Sequence, residues 1–290
     1  MPDGGLLQAL RDDVMNGNLP QVSWIVAPDT YSEHPGPSSP VQGAWYIQET
    51  LNALTANPDV WSKTVLLVNF DENDGFFDHV PSPAAPSINP DGSMAGASTV
   101  NTDLERHTRP SAQDAADNRV YGPGPRVPMY IVSPWSRGGW VNSQAFDHTS
   151  VLRFLEARFG VAEKNISPWR RAVLGDLTSA FNFATPNNEK LPDLSLLTKA
   201  QADQTRADQQ ALPQVALPDT TTKAKPVQET GVRFSRPLPY ELHTSGRAQP
   251  GTSAMWLVFA NTGTATGVFH VYDRLHLDRL PRRYTVEPNN

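Results

Sequence analysis

The sequence predicts an α/β fold, a mostly parallel sheet with flanking helices, followed by a small β segment. Three observations predict it. Val65-Leu66-Leu67-Val68-Asn69-Phe70 has almost no polar face, as a strand buried on both sides requires. Apolar runs at residues 21–28 and 127–133 lie either side of it, and a helical pattern over 40–54 separates the first run from it, which is the order of a βαβ unit with parallel strands. Near the C-terminus, residues 253–260 and 267–272 have strand character and are joined by a turn at Asn261-Thr262-Gly263.

Taken in order, residues 6–15 read as a short helix stopped by Asn16-Gly17-Asn18, and Gln21-Val22-Ser23-Trp24-Ile25-Val26-Ala27-Pro28 as the first strand. The helix over 40–54 opens on Pro40, puts Val41, Ala44, Trp45, Leu51 and Leu54 roughly on one face, and is stopped by Asn57-Pro58. The second strand is 64–70. Residues 81–124, rich in Pro, Gly, Ser, Asp and Asn, read as a long loop lying over the site. A third strand at 127–133 precedes a helix over 149–159, which Asp147 or Thr149 caps and Gly160 ends. From 187 to 232 large apolar residues are few, as in a linker or a surface-wrapping tail. The expected division is therefore an α/β portion over 1–185, a linker over 186–235 and a partial β domain over 236–290.

At 290 residues and 38% hydrophobic content, the chain has enough apolar material for one large or two ordinary cores. A net charge of −6 without any Lys/Arg-rich block repels nucleic acid. The absence of cysteine excludes a disulfide framework and a thiolate metal site, without fixing the compartment. No apolar run has the length of a membrane span, and residues 1–11 lack the basic start and apolar core of a signal peptide. Either the protein is cytosolic, or the natural chain starts further upstream.

In open parallel sheets, ligands bind beyond the carboxyl ends of the strands. The three apolar runs lead there to Asp29, Glu33 and His34, to Asp71, Glu72 and Asp74, and to Ser133, Trp135, Ser136 and Arg137. Adjacent carboxylates at a buried strand end repel and lose hydration, so Asp71 and Glu72 are candidate oxygen ligands of a divalent cation; capping and plain solvation are the alternative. An EF-hand loop fails by one step, because Gly75 falls at position five of the loop rather than six. His34 and His79 are candidates for a general acid or for a donor to a phosphoryl oxygen, and His148 for a histidine oriented by Asp147. Tyr31, Trp135 and Trp140 suit either a cage for a quaternary ammonium or ordinary core packing. The chain has no Gly-x-Ser-x-Gly elbow, no phosphate-binding Gly-rich loop with Lys and no His-Glu-x-x-His helix.

Four long motifs resemble a family of bacterial phosphoesterases that includes phosphatidylcholine-cleaving phospholipases C and a related acid phosphatase. They are Tyr31-Ser32-Glu33-His34-Pro35-Gly36-Pro37, the run from Trp61 through Asp71, Glu72 and Asp78 to Val80, Tyr121-Gly122-Pro123-Gly124-Pro125-Arg126-Val127-Pro128, and Phe146-Asp147-His148-Thr149 continuing to Glu156. Phe259-Ala260-Asn261-Thr262-Gly263 and Phe269-His270-Val271-Tyr272 continuing to Arg279 resemble the small β domain of the phospholipase branch. The resemblance implies an alkaline-phosphatase-like fold, with a divalent metal on Asp71 and Glu72 and with His34 near the phosphate. His79 and His148 complete the catalytic candidates, and Asp74 and Trp135 are candidates for substrate binding. The implied substrate is a phospholipid, with peripheral membrane contact, or another phosphate ester; acid phosphatase action on monoesters and non-catalytic binding of a phosphorylated ligand are the alternatives. Family members carry, upstream, an acidic residue followed by Asn-Arg-Ser-Phe-Asp-His and then a Ser or Thr nucleophile, both missing from this sequence. The chain thus resembles the C-terminal portion of a catalytic domain plus part of the next domain, from a secreted or periplasmic protein, and alone it is expected to be nearly inert. Metal identity, headgroup preference and oligomeric state are left open by the sequence.

Overall fold

The structure, a computed structural model, describes residues 5–73, 75, 77–78, 80–112, 114–186, 190–217, 219, 221, 227 and 230–290. Its helices are α1 (Gln8–Met15), α2 (Pro40–Thr55), α3 (Pro58–Trp61), α4 (Thr149–Phe159), α5 (Pro168–Val173) and α6 (Lys199–Gln210). Its strands are β1 (Leu66–Asn69), β2 (Ser87–Ile88), β3 (Met94–Ser98), β4 (Met129–Val132), β5 (Leu242–Ala248), β6 (Met255–Asn261), β7 (Gly267–Val271) and β8 (Arg282–Val286). The chain divides into two compact units that interleave in sequence: Met1–Asp74, Pro128–Gly139 and Asn182–Arg233 form the first, and Gly75–Val127, Trp140–Phe181 and Phe234–Asn290 the second.

In the first unit, α2 starts at Pro40, where a missing N–H costs nothing. It buries Trp45, Tyr46, Ala53 and Leu54, while Ala44, expected on the buried face, is exposed. Val14 of α1, Leu54 and Trp61 make one cluster, joined by Leu66 of β1 and Val132 of β4. Each such large side chain contributes about 1.5–3 kcal/mol through burial. Glu49, buried on α2, is held by Arg11 of α1 at 3.0 Å, so the charge taken out of water has a partner.

Two expectations about this sheet are corrected. β1 pairs with β4 antiparallel, Leu66 opposite Val132 and Asn69 opposite Met129, with Leu66, Leu67 and Val68 half-buried and Asn69 exposed rather than enclosed on both sides. More than fifty residues separate the two strands, a connection that permits either direction. Residues 21–28 form no strand; Trp24 is 72% and Val26 88% exposed, so this segment has the composition of a strand without a ladder partner among the described residues. Composition states that a segment favours burial, not which edge will receive it. The stretch over 187–232, read as a linker, supplies α6, whose Thr198–Gln201 capping box offsets a polar sequence and whose Ala202 is fully buried.

In the second unit a mixed sheet runs in the order β2-β3-β8-β7, with β3 parallel to β8 and the outer pairs antiparallel. Residues 81–124 are therefore not a continuous loop, since they hold β2 and β3. The run Met-Ala-Gly-Ala-Ser has almost no β propensity, and tertiary pairing overrides that. β6 and β7 do not pair as a hairpin; β6 takes β5 and β7 takes β8. Trp169, fully buried on α5 beside Ala85, Val173 and Leu174, donates its indole N–H to Thr285 Oγ1 of β8 at 2.9 Å. The helix over Thr149–Phe159 is found as expected, ended by Gly160 in the left-handed region.

Gly96 has a φ of +126° and faces Arg283 so closely that a Cβ would stand 1.9 Å from that residue's carbonyl oxygen. Gly96→Ala is expected to destabilise the second unit by about 2–4 kcal/mol, combining backbone strain with a clash against main chain. A urea midpoint equal to that of the parent would refute this role.

Candidate functional site

The loop that carries His34 is built by short-range polar bonds. Ser38, buried, donates through Oγ to Thr30 O at 2.8 Å and accepts from Glu33 N at 3.0 Å, and Ser38 N donates to His34 O at 3.1 Å. Glu33 sits at φ +68° and Gly36 at +109°, so the chain doubles back around the histidine. The side chain of Glu33 lies across α2 at Gly43, where a Cβ would meet Glu33 Cγ at 2.1 Å. His34 is exposed, and its Nδ1 lies 2.8 Å from Pro35 O. A carbonyl oxygen only accepts, so Nδ1 carries the proton and Nε2 is the nitrogen presented outward.

α6 fastens this loop. Asp203 accepts from Tyr31 Oη at 3.3 Å, from Gln42 Nε2 at 3.0 Å and from Lys199 Nζ at 2.8 Å, while Arg206 donates to Gly36 O. The Asp203 carboxylate raises the pKa of Lys199 to about 12, helped by Tyr31. Burial pushes the Asp203 carboxyl up, but donation from Lys199 and Gln42 outweighs it and leaves the group below the usual carboxylate range. Tyr31 is buried, with Trp45 at 4.8 Å between ring centroids and Tyr46 at 6.3 Å. It is therefore a core residue and leaves the proposed aromatic cage.

Asp71 and Glu72 follow β1 after Phe70, on a bend and both exposed, which corrects the expectation of a buried strand end. Neither carboxylate takes part in an ion pair or a side-chain hydrogen bond among the described residues. Two adjacent hard oxygen donors left uncommitted fit part of the shell of a divalent cation. No group of three or more histidine or acidic side chains is gathered among the described residues. Trp135, half-buried in the same unit, packs on Phe183 with ring centroids 5.7 Å apart. Asp74 and His79 lie outside the described residues.

His148 belongs to the second unit and stands exposed at the start of α4. Asp147, expected to orient it, instead accepts from Thr149 N at 2.9 Å and from Thr149 Oγ1 at 2.5 Å, and pairs through its other oxygen with Arg170. Helix capping therefore accounts for Asp147. Trp140 packs tilted against Phe234 with ring centroids 5.3 Å apart and lies under Arg236 at 4.6 Å, an occupied ring face rather than an open one.

One cluster went unread in the sequence. Tyr121 Oη donates to Asp117 Oδ2 at 2.5 Å, His107 Nδ1 lies 3.3 Å from Asp117 Oδ1, and Arg119 pairs with the same carboxylate at 3.5 Å. Tyr121 first, and then the Arg119 amide, hold the Asp117 carboxyl down to about 2. Only Tyr121 stands in a recognisable motif; nothing in the spacing singles out Asp117 in a polar stretch. Elsewhere in the unit, a cavity of about 280 Å³ lies between Val80, Pro83, Ala145, Tyr240 and His270. Burial, then the Arg283 charge, holds His270 below the usual histidine range.

Residues 1–162 match the phosphoesterase family. The chain belongs to that family. Residues 234–290 of this phosphoesterase match the C-terminal domain of bacterial phospholipase C. It is similar to a non-hemolytic phospholipase C of Pseudomonas aeruginosa, 60% identical over 97% of the chain and 40% of that protein. It is also similar to a non-hemolytic phospholipase C of Burkholderia pseudomallei, 50% identical over 98% of the chain and 39% of that protein. A hemolytic phospholipase C of P. aeruginosa is 44% identical over 96% of the chain and 38% of that protein. The phosphoesterase chain thus spans about two fifths of the length of these relatives.

Two outcomes follow from the geometry. Gly43→Ala forces Glu33 off α2; the roughly 1 kcal/mol gain in helix propensity offsets much of that cost, while the His34 imidazole resonances move. Unchanged histidine resonances would show that Glu33 does not hold the loop. In Tyr121→Phe the Asp117 carboxyl is expected to rise from about 2 toward the ordinary aspartate value of 3.8, followed by carboxylate NMR. Because this carboxyl is depressed on folding, its stabilisation is present above 3.8 and lost as pH falls toward 2, and the variant loses less stability across that window.

Proposed function

We propose that the whole protein is a secreted or periplasmic, metal-dependent phospholipase C that cleaves phosphatidylcholine into diacylglycerol and phosphocholine. The observation that carries the metal site is the uncommitted pair Asp71 and Glu72 at the end of β1, in a phosphoesterase chain at 60% identity to a non-hemolytic phospholipase C. The activity is proposed for the whole protein because the chain spans 40% of that relative.

Asp71 and Glu72 would hold the cation together with donors from elsewhere in the protein. When bound, the cation supplies Lewis acidity at the phosphoryl group and activates a hydroxyl nucleophile from outside this chain. His34 stands near the phosphoryl group, its Nδ1–H fixed by the Pro35 carbonyl, so the imidazolium donates its proton at Nε2 to the departing alkoxide. Trp135 is the candidate for contact with the choline group and Asp74 for a further headgroup contact, and His79 and His148 are secondary candidates for holding phosphoryl oxygens.

Titration calorimetry of the chain with Mn²⁺ tests the metal site: Asp71→Asn and Glu72→Gln should each weaken binding by about tenfold or more. Parent-like affinity in both variants would overturn it. Joined to the N-terminal portion of the P. aeruginosa relative, the chain should hydrolyse phosphatidylcholine in preference to a phosphate monoester, and His34→Gln should lower kcat by roughly 10²–10⁴. Alone, the chain should show almost no turnover.

A further inference from the structure

The segment between β7 and β8 reads Tyr272-Asp273-Arg274-Leu275-His276-Leu277-Asp278-Arg279-Leu280-Pro281-Arg282. Leu275 is 89% and Leu277 71% exposed, and Tyr272 and Leu280 are exposed as well. Their exposure is imposed by a built turn. Asp273 Oδ1 accepts from Leu275 N at 3.0 Å, Asp273 O from His276 N at 3.1 Å, and His276 O from Arg279 N at 3.1 Å. These bonds hold the backbone in successive tight turns with both leucines directed outward, in a segment anchored at each end by the β7–β8 ladder.

The charges are of the opposite sign to the chain as a whole. Arg274, Arg279 and Arg282 are exposed, against Asp273 and Asp278, in a protein of net charge −6. Arg279 meets Asp273 at 3.9 Å, while Arg274 and Arg282 form no ion pair among the described residues. Apolar side chains displayed between uncommitted arginines match one surface well: a phospholipid interface, where leucines enter the acyl boundary and guanidinium groups reach phosphates at headgroup level. Charge separates this occupant from a second copy of the chain, since two basic loops facing one another repel.

We infer that the β7–β8 turn is a lipid-insertion loop, with Leu275 and Leu277 entering the bilayer boundary and Arg274 and Arg282 binding lipid phosphates. It is independent of the metal site and of turnover, and it deepens the lipid reading by naming the surface that meets the substrate's bilayer.

The absence of cysteine in the chain gives a clean probe. Leu277→Cys carrying an environment-sensitive NBD label should brighten and shift to the blue on vesicles of phosphatidylcholine and phosphatidylglycerol, with quenching by lipids spin-labelled in the acyl chain. The same label at Leu196→Cys, exposed in the first unit, should not respond. In sedimentation with those vesicles, Leu275→Ser/Leu277→Ser should lose between about ten- and a hundredfold in partitioning, as withdrawing two leucines from lipid implies. Arg274→Gln/Arg282→Gln should lose the preference for anionic vesicles and keep the weaker binding to pure phosphatidylcholine. All four residues are exposed, and circular dichroism reports whether the variants fold. A silent label at position 277, or equal sedimentation of parent and the double serine variant, overturns the inference. So does a parent dimer in sedimentation velocity that the serine variant dissolves, which assigns the loop to a second copy. Because binding is read without hydrolysis, failure here leaves the catalytic proposal standing, and failed hydrolysis leaves this one standing.

Discussion

The geometry around His34 depends on one carboxylate. Asp203 gathers Tyr31, Gln42 and Lys199, and so joins the 3₁₀ turn at Asp29–Tyr31, the first turn of α2 and the helix α6 into one block. None of these elements is long or apolar enough to fix the loop alone. α6 in particular is a polar helix that buries Ala202 and little else, and its place is set by hydrogen bonds and charge. A partly buried ion pair contributes modest net stability, but its directionality fixes geometry, which a site that must aim an imidazole requires. The loop's own bonds, from Ser38 and Arg206, then complete a framework already constrained at Tyr31.

The helices of this phosphoesterase were legible because each carries its own punctuation. Pro40 and Asn57-Pro58 bracket α2, Gly17 stops α1, and Gly160 ends α4 in the conformation glycine favours. Strand positions at 66–69 and 129–132 were legible from apolar runs, but their antiparallel direction was not, since direction depends on a connection whose course the sequence does not encode locally. Two elements escaped for opposite reasons. β3 has small residues whose only strand signal is the partner they meet, and α6 has the polarity of a linker with its helix-forming strength in a capping box.

At the site, sequence named the residues better than their surroundings. Asp71 and Glu72 emerge together after a strand as expected, yet in solvent and not at a buried sheet end. The aromatic residues show why type alone is a weak guide: Tyr31 is walled in by Trp45 and Tyr46, Trp140 is covered by Arg236 and Phe234, and Trp135 keeps partial exposure. The carboxylate–tyrosine–histidine cluster at Asp117 lies in a stretch with no periodicity, where His107 reaches Asp117 and Tyr121 because the backbone doubles back through the Arg106–Val120 bridge.

The parallel register of Gly96 with Arg283 also sets an order of events at birth. The central pair of the second unit's sheet joins residues far apart in the chain, so its core cannot close until Arg283 has left the ribosome. Until then Trp169 lacks the Thr285 hydroxyl that satisfies its indole, and β3 presents an unpaired edge. A sheet closed this late leaves β3 open to wrong partners for longer than a local hairpin would.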